Sequence, residues 1–157
     1  MAKSPKILIL NGPNLNMLGV RDPAIYGRDS LADIAKMCER RAKELGLTVD
    51  FRQSNIEGEL VTWIQEARKS AAGIVINPAG YGHTSIALLD ALQIAELPVI
   101  EVHLSNIHRR ESFRHHTYTS QAATGIICGL GAKGYLLALD AIAPLVKTGL
   151  INKKDRA

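Results

Sequence analysis

Two short, nearly continuous apolar runs limit this chain to one kind of sheet. KILIL (residues 6–10) and GIVIN (73–77) have the length of strands but lack the alternation of apolar and polar residues. A half-exposed strand alternates, whereas a strand covered on both faces can be apolar throughout. Such strands are typical of parallel sheets with a layer of helices on each face, so we expect an α/β fold.

Segments with helical spacing alternate with strands along the chain. SLADIAKMCERRAKELG (30–46) opens with the capping residue Ser30, has Asp33 three positions later and stops at Gly46. The predicted strands are 6–10, 47–53, 73–77, 98–103 and 125–128, and the predicted helices are 30–46, 59–70, 84–96 and 134–146. This order predicts a flavodoxin-like, doubly wound five-stranded parallel sheet of order 2-1-3-4-5, in three α/β/α layers.

Three loops at one edge of the predicted sheet contain most of the candidate functional residues. Ligands of such sheets bind beyond the carboxyl ends of the strands, where the strand order reverses, and here that point lies between strands one and three. The first loop, 11–29, is far longer than a strand-to-helix connection needs and is typical of a lid. The polar candidates in the three loops and the fourth strand are Asn11, Asn14, Asn16, Arg21, Tyr26, Asn77, His83, Glu101, His103, Ser105, Arg109, Arg110 and Arg114. Each has an ordinary structural explanation, but their convergence favours a functional cleft.

RDPAIYG (21–27) places an arginine five residues before a tyrosine, with Pro23 between them. A free tyrosine hydroxyl has a pKa of about 10 and is a poor base at neutral pH. A guanidinium about 4 Å away favours the phenolate by about 4 kcal/mol at an effective dielectric constant of about 20. The heptapeptide alone favours a surface Arg21 and a half-buried Tyr26 that never meet, whereas a shared cleft predicts a tyrosinate base.

The same three loops contain no lysine. Removing a proton beside a ketone needs a positioned base and a place for the enolate charge, or else a lysine Schiff base. The lysines of the chain are at positions 3, 6, 36, 43, 69, 133, 147, 153 and 154. Imine chemistry is therefore disfavoured, and a tyrosinate with an asparagine fits the enolate route.

Five long motifs follow one another over residues 7 to about 146. NGPNLNMLG precedes R-x-P-x-x-Y-G, N-P-x-x-Y-x-H-T-S, E-V-H-L-S-N-I-H-x-R-E-x-F-R-H-H and A-T-G-x-I-x-G-x-G-x-x-G-Y-x-L-A-L. In this order and spacing they resemble the type II 3-dehydroquinate dehydratases. The chain departs from the family pattern at Gly82, where the family commonly has threonine.

The resemblance implies a trans elimination of water from 3-dehydroquinate, giving 3-dehydroshikimate through an enolate, in the shikimate or quinate pathway and without a metal or organic cofactor. It makes Tyr26 the base for the C2 proton and Arg21 the cation that keeps this base ionised. His103 is the implied general acid for the C1 hydroxyl, with Glu101 orienting its imidazole. Asn14 is the implied partner of the enolate oxygen.

The resemblance also implies how the small anionic substrate is bound. The residues that it assigns to substrate binding are Asn77, His83, Asp90, Leu104, Ser105 and Arg114. Asp90 is expected to reach the site from a neighbouring subunit, because members of the family form trimers that assemble into a dodecamer. We therefore expect a homo-oligomer, a tetramer of trimers.

The formal charge of +4 is concentrated at the C-terminal end. Residues 147–157 carry four basic side chains and one acidic one, a net +3, which leaves +1 for the rest of the chain. Because aromatic residues are only 4% of the chain, this distribution argues against a nucleic-acid surface. We expect one catalytic domain over 1–157 with a basic, flexible tail from about 147. No apolar stretch suits a signal or a membrane span, so we expect a cytoplasmic protein without a membrane partner.

Two other functions compete with the dehydratase. A non-catalytic flavodoxin-like module for a nucleotide or phosphate fits the topology and the glycine-rich first loop, and an RNA-associated oligomer could use the basic tail. The G-x-G-x-x-G of residues 129–134 resembles a dinucleotide fingerprint, but too little chain follows it, so we interpret its glycines as close strand-to-helix packing. The histidines at 103, 108, 115 and 116 fit no standard metal spacing, and we expect no metal site.

Overall fold

The sheet has the predicted strands in the predicted order. The computed structural model describes residues 3–147. Its strands are β1 (Lys6–Asn11), β2 (Thr48–Gln53), β3 (Gly73–Asn77), β4 (Val99–His103) and β5 (Gly125–Cys128). All of them are parallel, in the order β2-β1-β3-β4-β5. The predicted fold class is confirmed, and Asn11 pairs with Asn77 where β1 and β3 end side by side.

Between residues 3 and 147, the chain forms four long α-helices and one short one, of which the last follows β5. They are α1 (Pro23–Tyr26), α2 (Leu31–Glu44), α3 (Glu57–Ser70), α4 (Ile86–Ala95) and α5 (Lys133–Lys147). At the start of α2, Ser30 Oγ accepts the Asp33 backbone N–H at 3.1 Å, and the Asp33 carboxylate accepts that of Ser30 at 2.9 Å. Hydrogen bonding to Ser30 lowers the pKa of Asp33. The predicted cap is therefore present.

The first loop contains a helical turn that the sequence pattern does not predict. Residues 21–27 are predicted as loop, whereas α1 occupies Pro23–Tyr26. Pro23 stands at the first helical position, where its fixed φ suits a helix and its missing N–H costs nothing. The preceding Asp22 has a left-handed φ of 31°, which turns the chain sharply at the entry to α1.

Two apolar layers cover the sheet, one on each face. Along β1, Ile7 and Ile9 pack into one layer and Leu8 and Leu10 into the other, because successive strand side chains point to opposite faces. Helices α2 and α5 cover the first face, and α3 and α4 cover the second. This double coverage explains why the central strands are apolar throughout.

The loops after β1 and β3 are in direct contact with each other where they leave the sheet. The Gly12 N–H donates to the Asn77 carbonyl at 2.8 Å. A Cβ on Gly12 would lie 2.2 Å from the Pro78 carbonyl oxygen, so a side chain cannot be accommodated at this position. The two loops therefore form one wall at the carboxyl edge of the sheet.

Two of the three glycines in the G-x-G-x-x-G after β5 pack closely against other elements. Gly129 has a φ of +88°, and a Cβ there would lie 2.9 Å from the Asn106 Cβ. A Cβ on Gly134 would lie 3.4 Å from the Val102 Cγ1, which brings the start of α5 close to β4. Close packing is therefore confirmed for Gly129 and Gly134, whereas a Cβ on Gly131, which has a φ of +59°, would meet no atom within 4 Å.

In the part of the chain from residue 3 to 147, no helix combines the length and the apolar character needed to cross a membrane. The predicted basic tail begins at Lys147, the last residue of α5, and its remainder lies outside the described residues.

Candidate active site

A cavity of about 170 Å³ lies at the carboxyl edge of the sheet, beside the reversal of strand order. Its lining residues are Pro13, Asn14, Leu15, Arg21, Tyr26, Asn77, Ala79, Gly80, His83, His103, Leu104, Ser105, Ile107, Arg110 and Arg114. They come from the loops after β1, β3 and β4, so the predicted convergence of three segments is present. No lysine belongs to this lining.

Tyr26 lies between two guanidinium groups. The Arg21 guanidinium carbon is 4.7 Å from the centre of the Tyr26 ring, and that of Arg110 is 5.3 Å from it. The interpretation of Arg21 and Tyr26 as side chains that never meet is therefore wrong. The sharp turn at Asp22 brings Arg21 back over the helix that carries Tyr26. Two cations therefore lie against one half-buried aromatic ring in the cavity.

Arg110 is a cavity residue to which the sequence pattern assigned no specific role. Sequence reasoning left it as either a solvated charge or a group that attracts an anion. In the structure one of its terminal nitrogens donates to Ser105 Oγ at 3.2 Å, and its side chain is only 17% exposed. Its position in an arginine-rich loop was the available signal, but only the fold shows that it reaches Tyr26.

His103 is held by a fully buried carboxylate. Its Nε2 lies 3.0 Å from Glu101 Oε2, with Glu101 0% exposed. Glu101 also accepts hydrogen bonds from Thr117 Oγ1, at 2.8 Å, and from Thr119 Oγ1. With Nε2–H donated to Glu101, Nδ1 is the His103 nitrogen left for a ligand. Sequence reasoning missed both threonines, whose only local signal is two hydroxyl residues flanking Tyr118.

His83 faces the cavity as a hydrogen-bond acceptor. Its Nδ1–H donates to the His116 carbonyl at 2.8 Å, which leaves Nε2 as the free ring nitrogen. Burial lowers the pKa of His83, and the charges of His103 and Arg114 lower it further. The neutral form is therefore favoured. The rings of His83 and His103 lie with their centres 6.1 Å apart.

Gly82 marks the departure from the family pattern. It is buried, and a Cβ there would lie 2.7 Å from the Pro78 ring, so the loop that carries His83 packs closely here. The Gly82 carbonyl accepts the Tyr118 N–H at 2.8 Å. Through Gly82 and His83, the loop after β3 is hydrogen-bonded to residues 116–118. The same segment of the chain supplies the threonine hydroxyls that hold Glu101.

A buried polar chain behind the cavity orients Asn77. Asn77 Nδ2 donates to the Tyr135 hydroxyl at 2.9 Å, which donates to Asn11 Oδ1 at 2.7 Å. The Asn11 amide donates in turn to the Arg52 carbonyl at 3.0 Å. Burial raises the pKa of Tyr135, which keeps this hydroxyl protonated. Sequence reasoning assigned no role to Tyr135, because it follows Asn77 by 58 residues.

The remaining predicted residues divide between the cavity and the surface. Leu104 and Ser105 line the cavity, and so does Arg114, which donates to Glu111 Oε2 at 2.8 Å. Asp90 is exposed on α4 and is not among the residues that line the cavity of this chain.

The histidines do not gather around a common point. Within residues 3–147, no group of three or more histidine, cysteine, aspartate and glutamate side chains could hold a metal ion. The His115 ring donates from Nε2 to the Arg110 carbonyl at 2.9 Å, and His116 packs edge-on against Tyr118 with ring centres 4.9 Å apart.

A protein-family comparison decides to which group this arrangement belongs. The model of the family described as "Dehydroquinase class II" matches residues 5–143. The chain belongs to this family. The resemblance of the five sequence motifs to the type II 3-dehydroquinate dehydratases is thereby confirmed.

Individual members of the family are similar over nearly their whole length. The 3-dehydroquinate dehydratase of Streptomyces avermitilis is 59% identical over 150 residues, which cover 95% of this chain and 94% of that protein. The 3-dehydroquinate dehydratase 2 of Pseudomonas putida is 58% identical over 143 residues, 91% of this chain and 96% of the relative.

Solved structures of type II dehydroquinases have the same fold. The crystal structure of the enzyme from Propionibacterium acnes superimposes with a TM-score of 0.87 at 47% identity, covering 92% of this chain and 99% of that one. That of Butyrivibrio crossotus also gives 0.87, at 43% identity, with 90% of this chain and 99% of that chain covered.

Proposed function

We infer that this class II dehydroquinase is a lyase that converts 3-dehydroquinate into 3-dehydroshikimate and water. One observation carries the inference: Tyr26, between two guanidinium groups, lines the same cavity as the His103 held by Glu101. A base and an acid in one cleft are what an elimination of water requires. Relatives that match nearly the whole chain have this activity in their names, and a non-catalytic binding module is not favoured.

Tyr26 acts as the base in this proposal. The guanidinium groups of Arg21 and Arg110, whose central carbons lie 4.7 Å and 5.3 Å from the centre of the Tyr26 ring, support this role. The phenolate takes the C2 proton, and the electron pair of the C–H bond forms the enolate.

Asn14 and His103 complete the elimination. Asn14 donates to the carbonyl oxygen as its charge develops, which stabilises the transition state more than the ground state. His103 gives a proton to the C1 hydroxyl, the C–O bond breaks, and water leaves as the enolate collapses to the conjugated enone. Glu101 keeps the imidazole oriented through the hydrogen bond that it accepts from Nε2.

The other cavity residues bind the substrate. Asn77 and the neutral Nε2 of His83 take ring hydroxyls, with Arg114 beside them. The backbone amides of residues 104 and 105, together with the Ser105 hydroxyl, take the carboxylate. These roles rest on the residues' places in the cavity lining and on the chemistry of their free groups.

An ultraviolet assay of the conjugated enone product tests this function. We expect turnover of 3-dehydroquinate by the wild type, unaffected by borohydride because no imine forms. Tyr26→Phe should lower kcat at least a hundred-fold, the usual size of a general-base contribution, with an unchanged circular dichroism spectrum. Tyr118→Phe is the matched control, because no described residue hydrogen-bonds its hydroxyl. Normal turnover by Tyr26→Phe would refute the role of this base.

We further propose that the chain works as one catalytic domain in a cytoplasmic dodecamer of four trimers. Asp90 lies on the exposed face of α4 with Ile86 and Ile94 one turn away on each side, and these isoleucines are 56% and 55% exposed. An apolar surface around an acidic residue suits contact with another subunit, through which Asp90 would enter the neighbouring cavity. Light scattering should give a mass of about 200 kDa, twelve times 17.0 kDa. A monomer with full activity would contradict the proposal.

A further inference from the structure

Asn14 has a backbone conformation that few residues other than glycine adopt. Its φ is 69° and its ψ is −5°, in the left-handed region. An asparagine tolerates this region better than most residues, but surrounding contacts are still needed to keep one conformation populated. The conformation of Asn14, the proposed partner of the enolate oxygen, therefore depends on the contacts that hold the first loop.

A side chain from another loop holds the Asn14 backbone. The Asn14 N–H donates to Asn55 Oδ1 at 2.9 Å, across 41 residues of sequence. Asn55 follows β2, while Asn14 follows β1, and these strands are neighbours in the sheet. Because Pro13 fixes its own φ and Asn55 fixes the next N–H, the peptide unit that leads into Asn14 has little freedom to rotate.

Asn55 is itself tied to two further elements. Gln53, the last residue of β2, donates through Nε2 to Asn55 Oδ1 at 3.1 Å and to the Gly12 carbonyl at 3.2 Å. The Tyr81 hydroxyl donates to the Asn55 carbonyl at 2.6 Å. Asn55 thus connects the ends of β1, β2 and β3. Neither it nor Gln53 nor Tyr81 belongs to the cavity lining, so their influence on chemistry passes through Asn14.

We propose that Asn55 is a positioning residue for the dehydration, acting by fixing Asn14 in its left-handed conformation. This proposal rests on the function proposed above. Stabilisation of the enolate depends on a donor aimed at the place where the charge develops, so a mobile Asn14 weakens the transition state more than substrate binding. Loss of Asn55 therefore lowers kcat and leaves KM nearly unchanged.

Steady-state kinetics of five variants test the proposal. We expect Asn55→Ala to lower kcat about tenfold with KM within twofold, and Asn14→Ala to lower it further. In the Asn14→Ala background, Asn55→Ala should change kcat less than twofold, because the residue that it positions is gone. Asn55→Asp keeps the acceptor oxygen and should recover most of the lost kcat. Thr62→Ala, which removes an exposed side-chain hydrogen bond on α3, is the control with wild-type kinetics.

Hydrogen exchange supplies a readout that does not depend on turnover. Mass spectrometry of the peptide over residues 12–18 should show faster exchange at the Asn14 amide in Asn55→Ala than in the wild type. Unchanged exchange, wild-type kcat in Asn55→Ala, or an equal loss of kcat in the Asn14→Ala background would each overturn the proposal. If the wild type made no enone, the proposed function would fail, and the exchange result alone would decide whether Asn55 fixes Asn14.

Discussion

Removing one buried oxygen, with Tyr135→Phe, should destabilise this protein strongly. The Tyr135 hydroxyl accepts from Asn77 at 2.9 Å and donates to Asn11 at 2.7 Å. Tyr135 and Asn11 are 0% exposed, and Asn77 is 2% exposed. The phenylalanine ring fills the same space, so the change deletes two hydrogen bonds without opening an apolar cavity.

The magnitude follows from the groups left behind. An Asn77 donor and an Asn11 acceptor would remain buried without a partner, and each such group costs about 1–3 kcal/mol. Phenylalanine avoids the cost of burying a hydroxyl, which offsets part of this loss. We expect a net destabilisation of about 2–4 kcal/mol, or a fall in Tm of roughly 5–15 °C for a chain of this size.

Urea unfolding and thermal melts at one fixed protein concentration measure this effect, since assembly makes apparent stability depend on concentration. Tyr118→Phe is the matched control and should stay within about 0.5 kcal/mol of the wild type. Asn11→Ala should cost less in the Tyr135→Phe background than in the wild type, because their hydrogen bond is already lost. A Tyr135→Phe protein as stable as the wild type would show that the buried chain contributes nothing to folding.

Two further predictions concern the histidines of the cavity. Thr119→Val removes a hydroxyl that donates to Glu101. We expect this change to lower kcat about tenfold with KM preserved, and Thr119→Ser to retain the wild-type kcat. A wild-type kcat in Thr119→Val would exclude a role of this hydroxyl in orienting His103. The lowered pKa of His83 means that the unfolded chain binds more protons than the folded chain as the pH falls below the unperturbed value of 6.5, so stability declines with acid in that range. His83→Gln should reduce the slope of unfolding free energy against pH between about 6.5 and 5, and an unchanged slope would contradict the assignment.

Local sequence patterns were sufficient to predict the strands and helices and their order in the sheet. The apolar runs around residues 6–10 and 73–77 identify strands covered on both faces, and Ser30 with Asp33 marks the start of α2. From these, the topology follows because parallel strands need helical crossovers of one hand. The same logic selects the three loops that form the cavity. The place of the site was thus predictable before any side-chain contact was known.

Contacts between residues far apart in sequence were not predictable in this way. Asn14 and Asn55 are 41 residues apart, and Asn11 and Tyr135 are 124 apart. Neither pair leaves a periodic signal, since each contact is made by a single side chain on a separate element. The same holds for Arg110, whose position over Tyr26 depends on how two loops pack. Sequence reasoning therefore found most of the groups proposed to act on the substrate and missed many of those that hold them.

The buried carboxylate of Glu101, beside the cavity, is held by hydroxyl groups and an imidazole and not by a guanidinium. Glu101 receives hydrogen bonds from Thr117, Thr119 and His103, and none of its described hydrogen bonds comes from an arginine. A guanidinium on Glu101 would compete with His103 for the carboxylate and weaken the hydrogen bond that orients the imidazole. The hydroxyls satisfy the remaining lone pairs without adding charge, so the buried carboxylate remains available to His103, the proposed general acid. In the proposed reaction, the cavity arginines would face the negative charges of the substrate carboxylate and the enolate.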